Sequence, residues 1–139
     1  MQGAPPQERS QSVKSIRILV VDDSAVMRKM IERNLRQAGI EISELMEAND
    51  GWEALALAQQ KTPDLVLCDI NMPTMDGLEF LRTLKATEHA RHVPVVMITT
   101  EGSEARMAEA EASGAAGYVR KPFTAEQIKA QILPIVEAR

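Results

Sequence analysis

Apolar and polar positions along the chain follow two periods that take turns. Short apolar runs, Ile16 to Val21, Leu65 to Cys68 and Val95 to Thr99, alternate with stretches where apolar residues recur every three or four positions. A run of that length between turn signals reads as a strand buried on both faces, and the longer spacing as an amphipathic helix. The first run ends in two acids, Asp22 and Asp23, and Ser24 is placed to cap a helix. That helix carries Val26, Met27, Met30, Ile31, Leu35 and Ala38 on its apolar positions and stops at Gly39. A short strand over about Glu44 to Ala48 leads to Asn49-Asp50-Gly51, where Asp50 caps a helix with Trp52, Leu55, Ala56 and Ala58 that ends before Pro63.

The second half repeats the alternation. Leu65 to Cys68 closes on Asp69, after which Pro73 and Asp76-Gly77 turn the chain. A helix from Gly77 to about Ala86 turns Leu78, Leu81 and Leu84 inward, and Val95 to Thr99 is a fourth strand followed by Thr100 and Glu101. The next helix, about Ser103 to Ser113, offers the core mainly alanine and Met107. Apolar burial stabilises by about 25 cal/mol per Å², so this is expected to be the loosest helix. Gly114 closes it, Ala116 to Val119 forms a fifth strand, and Arg120, Lys121 and Pro122 follow. A last helix from Thr124 points Ile128, Ile132, Leu133 and Val136 inward, and Pro134 within it predicts a kink or an early end.

Five strands alternating with five helices through short connections predict a doubly wound α/β fold with a parallel sheet. Right-handed crossovers then gather Asp22, Asp23, Asp69, Thr99 and Lys121 at one end of the sheet, because each of them closes a strand. Residues Met1 to Ser15 are too poor in apolar side chains to offset the entropy of ordering and are expected to be a disordered tail. Residues 16–139 are expected to form one domain.

Composition narrows the function. The chain has 139 residues, 45% of them hydrophobic and 26% charged, enough for one ordinary core. A net charge of -4 without a basic cluster argues against a nucleic-acid surface. The single cysteine, Cys68, cannot pair internally, which fits a reducing compartment, and strand alternation turns it away from Asp69 as a core thiol. No signal peptide and no run of 18 apolar residues are present, so a soluble cytoplasmic protein that does not engage membranes is expected. His89 and His92 lack further ligands at metal spacing and receive no role.

Asp69 alone admits two readings. It opens a turn, as Asp commonly does, or it is a carboxylate on a rigid strand end that accepts a covalent group such as phosphoryl. Its neighbours weigh on the choice. Two unit charges 4 Å apart repel by about 4 kcal/mol at an effective dielectric near 20, and a hard divalent cation such as Mg²⁺ removes that penalty with oxygen ligands. The absence of histidine or thiolate from these strand ends argues against zinc. Phosphoryl transfer needs its equatorial oxygens neutralised, and the Lys121 ammonium and the Thr99 hydroxyl join the metal in that task. A phosphorylated Asp69 adds about -1.5 to -2 of charge, enough to draw in a hydroxyl and its loop. The alanine-faced helix is the element that would shift. Tyr118 is either a ring that turns inward with it or a half-buried ring with its hydroxyl in water.

With these residues in view, the chain resembles the receiver domains of two-component response regulators, most closely the single-domain CheY-type chemotaxis regulators. The resemblance runs from about Ile16 to the C-terminus. It rests on Val-Val-Asp-Asp-Ser, on Asp-Ile-Asn-Met-Pro-Thr-Met-Asp-Gly, on Thr99 after an apolar strand, and on Tyr-Val-Arg-Lys-Pro-Phe. It implies a flavodoxin-like sheet in the order 2-1-3-4-5, with Asp69 as phosphoacceptor. Asp22, Asp23, Asp69 and the backbone carbonyl of Asn71 are implied to hold Mg²⁺, Thr99 and Lys121 to contact the phosphoryl group, and Tyr118 to act as the aromatic switch. A cis Lys121-Pro122 bond is implied as well. Asn71 and Glu101 match fast-hydrolysing chemotaxis receivers, whereas Thr100 is bulkier than the Ala or Gly common at its position and would shield the acyl phosphate.

The function expected is therefore a stand-alone, monomeric receiver, not an enzyme beyond its own phosphorylation and dephosphorylation. It takes phosphoryl from a sensor histidine kinase or phosphotransfer protein and signals by binding another protein, in chemotaxis by similarity. The partner face implied is the Ser103 to Ser113 helix, Tyr118 and the C-terminal helix, with Arg106, Glu109 and Lys129 on its surface. A phosphate sink or shuttle in a phosphorelay is the alternative. A phosphatase of the haloacid dehalogenase type is disfavoured, because it needs an acid two residues after the nucleophile and Asn71 stands there.

Overall fold

The computed structural model describes residues 15–100 and 102–138. Residues 1–14 of the expected tail, Glu101 and Arg139 lie outside the described residues. Five strands, β1 (Ile16–Val21), β2 (Ile42–Ala48), β3 (Leu65–Cys68), β4 (Val95–Thr99) and β5 (Gly117–Arg120), form one parallel sheet in the order β2-β1-β3-β4-β5. Five helices alternate with them: α1 (Ala25–Gln37), α2 (Gly51–Gln60), α3 (Gly77–Lys85), α4 (Glu104–Ala112) and α5 (Ala125–Glu137).

The sheet has an apolar core on each face, which is why its inner strands read as unbroken apolar runs. Successive side chains point to opposite faces. On β1, Ile16, Ile18 and Val20 join one core and Leu19 and Val21 the other; on β3, Leu65 and Leu67 separate in the same way from Val66 and Cys68. Helices α1 and α5 cover the first core through Ile31, Leu35, Ile128 and Ile132. Helices α2, α3 and α4 cover the second through Ala54, Ala58, Leu78, Leu81, Leu84 and Ala110.

Every helix starts on a side-chain cap. Ser24, Asp50, Asp76, Ser103 and Thr124 each accept a hydrogen bond from the backbone N–H three residues on, and Gln127 answers Thr124 to complete a capping box. Such a cap stabilises a helix by about 1 kcal/mol. Gly39 and Gly114 follow α1 and α4 with φ of 86° and 104°, the left-handed region where glycine has no steric penalty.

Several expectations need correction. Val26 and Met30, expected on the inner face of α1, are 71% and 45% exposed. With 3.6 residues per turn, the stripe through Met27, Ile31, Leu35 and Ala38 meets the sheet, and these two fall beside it. Met107 of α4 is likewise exposed, leaving Ala110 as the buried residue of that helix. Trp52 and Ala56 face outward, and α2 instead buries Gly51, Ala54 and Ala58. β2 begins two residues before the expected Glu44, and β5 is displaced by one residue from Ala116–Val119. Helix α5 does not end at Pro134 but runs to Glu137. Pro134 and Ala130 are both exposed, so the carbonyl that loses its intrahelical donor meets water. Among the described residues, no helix is long and apolar enough to cross a membrane.

Candidate functional site

Backbone ladders bring the strand-closing residues together. The Asp22 amide donates to the Ala48 carbonyl at 3.1 Å, the Asp69 amide to Val21 at 3.0 Å, and the Lys121 amide to Thr99 at 2.9 Å. Each ladder thus continues one residue past its strand, so Asp22 and Asp69 leave neighbouring strands and Lys121 leaves β5, with β4 between it and β3. They cannot drift apart without breaking the sheet.

The side chains converge on one pocket. Asp22, Asp23 and Asp69 each present a carboxylate oxygen, and these oxygens lie within 4.8 Å of one another. Asp22 and Asp69 are buried, at 1% and 7% exposure, whereas Asp23 faces solvent. The Lys121 ammonium enters from β5 and donates to Asp22 Oδ2 at 2.7 Å and to Asp69 Oδ2 at 3.4 Å. Its side chain is only 10% exposed, so the cation is held between two acids in a sheltered place. The other oxygens are engaged too: Asp22 Oδ1 accepts the Ser24 amide at 2.9 Å, and Asp69 Oδ1 the Asn71 amide at 3.3 Å. Breaking such a buried pair by removing one partner costs about 3–5 kcal/mol, because the other charge is left uncompensated.

The donor set fits a hard divalent cation. All three donors are carboxylate oxygens, the hard ligand type that Mg²⁺ takes, and they are gathered within 4.8 Å of one another. Three acids face one lysine, so negative charge remains for a cation to neutralise. Neither thiol nor imidazole completes the set: Cys68 lies in the core behind Asp69, and His89 and His92 are exposed at the other end of α3. Burial, reinforced by the Asp69 charge, pushes the Cys68 thiol well above its ordinary value of 9.0, so it stays protonated.

The other residues singled out in the sequence stand on the neighbouring strands, loops and helices. Thr99 is fully buried at the last position of β4, and Thr100 after it is exposed. Asn71 is exposed in the loop after Asp69. Glu101, matched to lifetime modulation, lies outside the described residues. Tyr118 is half-buried, packs against the core beneath α4, and lines a groove of about 460 Å³ with Met107, Ala110, Glu111 and Gln131. Arg106 and Glu109 do not line that groove: they lie on the flank of α4 that faces α3, paired with each other at 3.2 Å and with Asp76 and Arg82. The Lys121-Pro122 bond is cis.

Gly77, which in the sequence marks only a turn and a helix start, has a further role. Its amide donates to the Ile70 carbonyl at 2.8 Å, and a Cβ there would collide with the Asp69 carbonyl oxygen. Helix α3 therefore starts hard against the backbone that carries Asp69. The Asp76-Gly77 pair reads as a turn signal, and only the coordinates show that the glycine is required for close approach.

The family described as the response regulator receiver domain matches residues 18–133. The chain is 39% identical over 124 residues to the chemotaxis protein CheY-3 of Vibrio cholerae, covering 89% of this chain and 94% of the relative. It is 40% identical over 122 residues to the chemotaxis protein CheY of Pseudomonas aeruginosa, covering 88% and 97%. Among solved structures, the Vibrio cholerae chemotaxis protein CheY4 is similar with a TM-score of 0.78 and 36% identity, over 88% of this chain and 99% of that one.

Proposed function

Because the chain belongs to the response regulator receiver domains, we propose that it is a phosphorylation-switched signalling module that accepts a phosphoryl group on Asp69 from a histidine kinase or phosphotransfer protein. The observation that carries this reading is the Lys121 ammonium poised between Asp22 and Asp69, beside a third carboxylate. A carboxylate oxygen of Asp69 attacks the phosphorus of a phosphohistidine. The new O–P bond forms as the P–N bond breaks, and the imidazole leaves with its electron pair and takes a proton from water. Lys121 then exchanges its contact with Asp69 Oδ2 for one with a phosphoryl oxygen, and the Thr99 hydroxyl binds another. Asp22 and Asp23, with Asp69 and the carbonyl of Asn71, would hold Mg²⁺, which supplies charge neutralisation for the third oxygen.

The output follows from the other side of Thr99. Drawing Thr99 toward the new charge pulls the start of α4, and Tyr118, packed beneath α4, turns inward with it. The groove between α4, β5 and α5 then changes shape and selects a partner protein. Similarity to chemotaxis proteins supports a cytoplasmic role in chemotaxis. The test is intact mass after incubation with acetyl phosphate and Mg²⁺. One added phosphate is expected on the native chain, and none on Asp69→Asn or in EDTA. Equal labelling of Asp69→Asn would move the acceptor elsewhere.

A further inference from the structure

We propose that Arg28 is a positioning residue for the acidic pair at the end of β1. It sits on the first turn of α1, a helix whose other cations point into solvent, yet its side chain is only 12% exposed. Its guanidinium serves three segments at once. Nη1 donates to the Asp22 carbonyl at 2.6 Å and to Asn49 Oδ1 at 2.9 Å, and Nε donates to Glu47 Oε1 at 2.8 Å. A planar fork of five donors can satisfy acceptors in three directions, which a lysine ammonium on a flexible stem cannot hold in fixed geometry.

The contact with Asp22 goes to its backbone, and this determines the role. The Asp22 carbonyl belongs to the peptide unit that precedes Asp23, so holding that oxygen sets the direction in which Asp23 leaves the strand. Asp22 needs no such help, since Ser24 and Lys121 already fix its carboxylate. Asp23 is exposed, and its carboxylate follows its backbone. Glu47 and Asn49, at the end of β2 and in the loop after it, anchor the far side of the fork. Arg28 thereby ties the β1–α1 turn to the neighbouring strand and presents Asp23 toward Asp69. Its positive charge acts in the opposite sense, because a cation near three carboxylates weakens their hold on Mg²⁺. The sign of the effect of removing Arg28 separates geometry from charge.

This inference rests on reading the three carboxylates as a cation site, and its test keeps the two apart. Calorimetric titration of Mg²⁺ is made into the whole chain, Arg28→Met and Arg28→Lys, and each is also melted in EDTA. The native chain is expected to bind; failure there sinks the cation site itself. Loss of an outer partner of a metal ligand weakens affinity by about 10- to 100-fold, which is the range expected for Arg28→Met. Arg28→Lys keeps the charge and loses the fork, so it is also expected to bind several-fold more weakly. Mg²⁺ affinity that is unchanged or tighter in both variants overturns the proposal, and a lower melting temperature in EDTA with native Mg²⁺ affinity assigns Arg28 a purely structural role. Should Arg28→Met not fold, Arg28→Lys decides.

Discussion

Helices α3 and α4 are neighbours of nine residues each on the same face of the sheet, and they are attached to it in opposite ways. Helix α3 buries Leu78, Phe80, Leu81 and Leu84 along with Gly77, while α4 buries Ala110 alone. A fully buried Leu or Phe stabilises by about 1.5–3 kcal/mol, several times the contribution of one methyl. What joins α4 to α3 is a chain of surface ion pairs, Asp76 to Arg106 at 3.9 Å, Arg106 to Glu109 at 3.2 Å and Glu109 to Arg82 at 3.5 Å. Exposed pairs of this kind contribute about 0–1 kcal/mol each. The helix that follows Asp69 is therefore the more firmly seated of the two, and we propose that the helix that follows Thr99 is the one a local charge change moves.

The largest expected effect lies on the fixed side. Phe80→Ala empties a fully buried site and should cost about 3–5 kcal/mol in urea unfolding. Met107→Ala, of the same kind but on α4, should stay within about 0.5 kcal/mol. Comparable losses would erase the contrast.

Gly77→Ala drives a methyl into the Asp69 backbone. A cost of about 1–3 kcal/mol is expected, together with slower labelling by acetyl phosphate. Native labelling at reduced stability would show that the support does not position the acid.

A smaller gain is expected at Thr74, just before α3. It is a β-branched residue at φ 65°, bridged by a hydrogen bond from the Met75 amide to the Pro73 carbonyl at 2.7 Å. Asn tolerates that region better, so Thr74→Asn should stabilise by about 1 kcal/mol in the same unfolding assay. Arg106→Ala should change global stability little, by under about 1 kcal/mol, yet speed amide exchange in α4 and leave α3 unchanged.

Much of this was legible in the residues for identifiable reasons. β1, β3 and β4 carry apolar side chains on both faces, which only a sheet covered on both sides requires, and the site residues stand at the ends of those runs. Strand order came from family resemblance, because alternation says that strands are parallel without saying which are neighbours. The buried stripe of each helix was less readable. Val26, Met30 and Met107 fit an apolar spacing but lie beside the line of contact, and Phe80 is buried because α3 is covered over more than one face. The contacts of Arg28 and the closeness of Gly77 to Asp69 depend on loop paths that no periodicity encodes.

The most direct measurement is amide exchange of α3 and α4, followed together in the presence of Mg²⁺ before and after addition of beryllofluoride as a phosphoryl mimic. Exchange in α4 is expected to be the fastest of the five helices at the outset and to change on addition, with α3 constant and Asp69→Asn unresponsive. Equal changes in α3 and α4, or an α4 that exchanges slowly and ignores the mimic, would contradict the account.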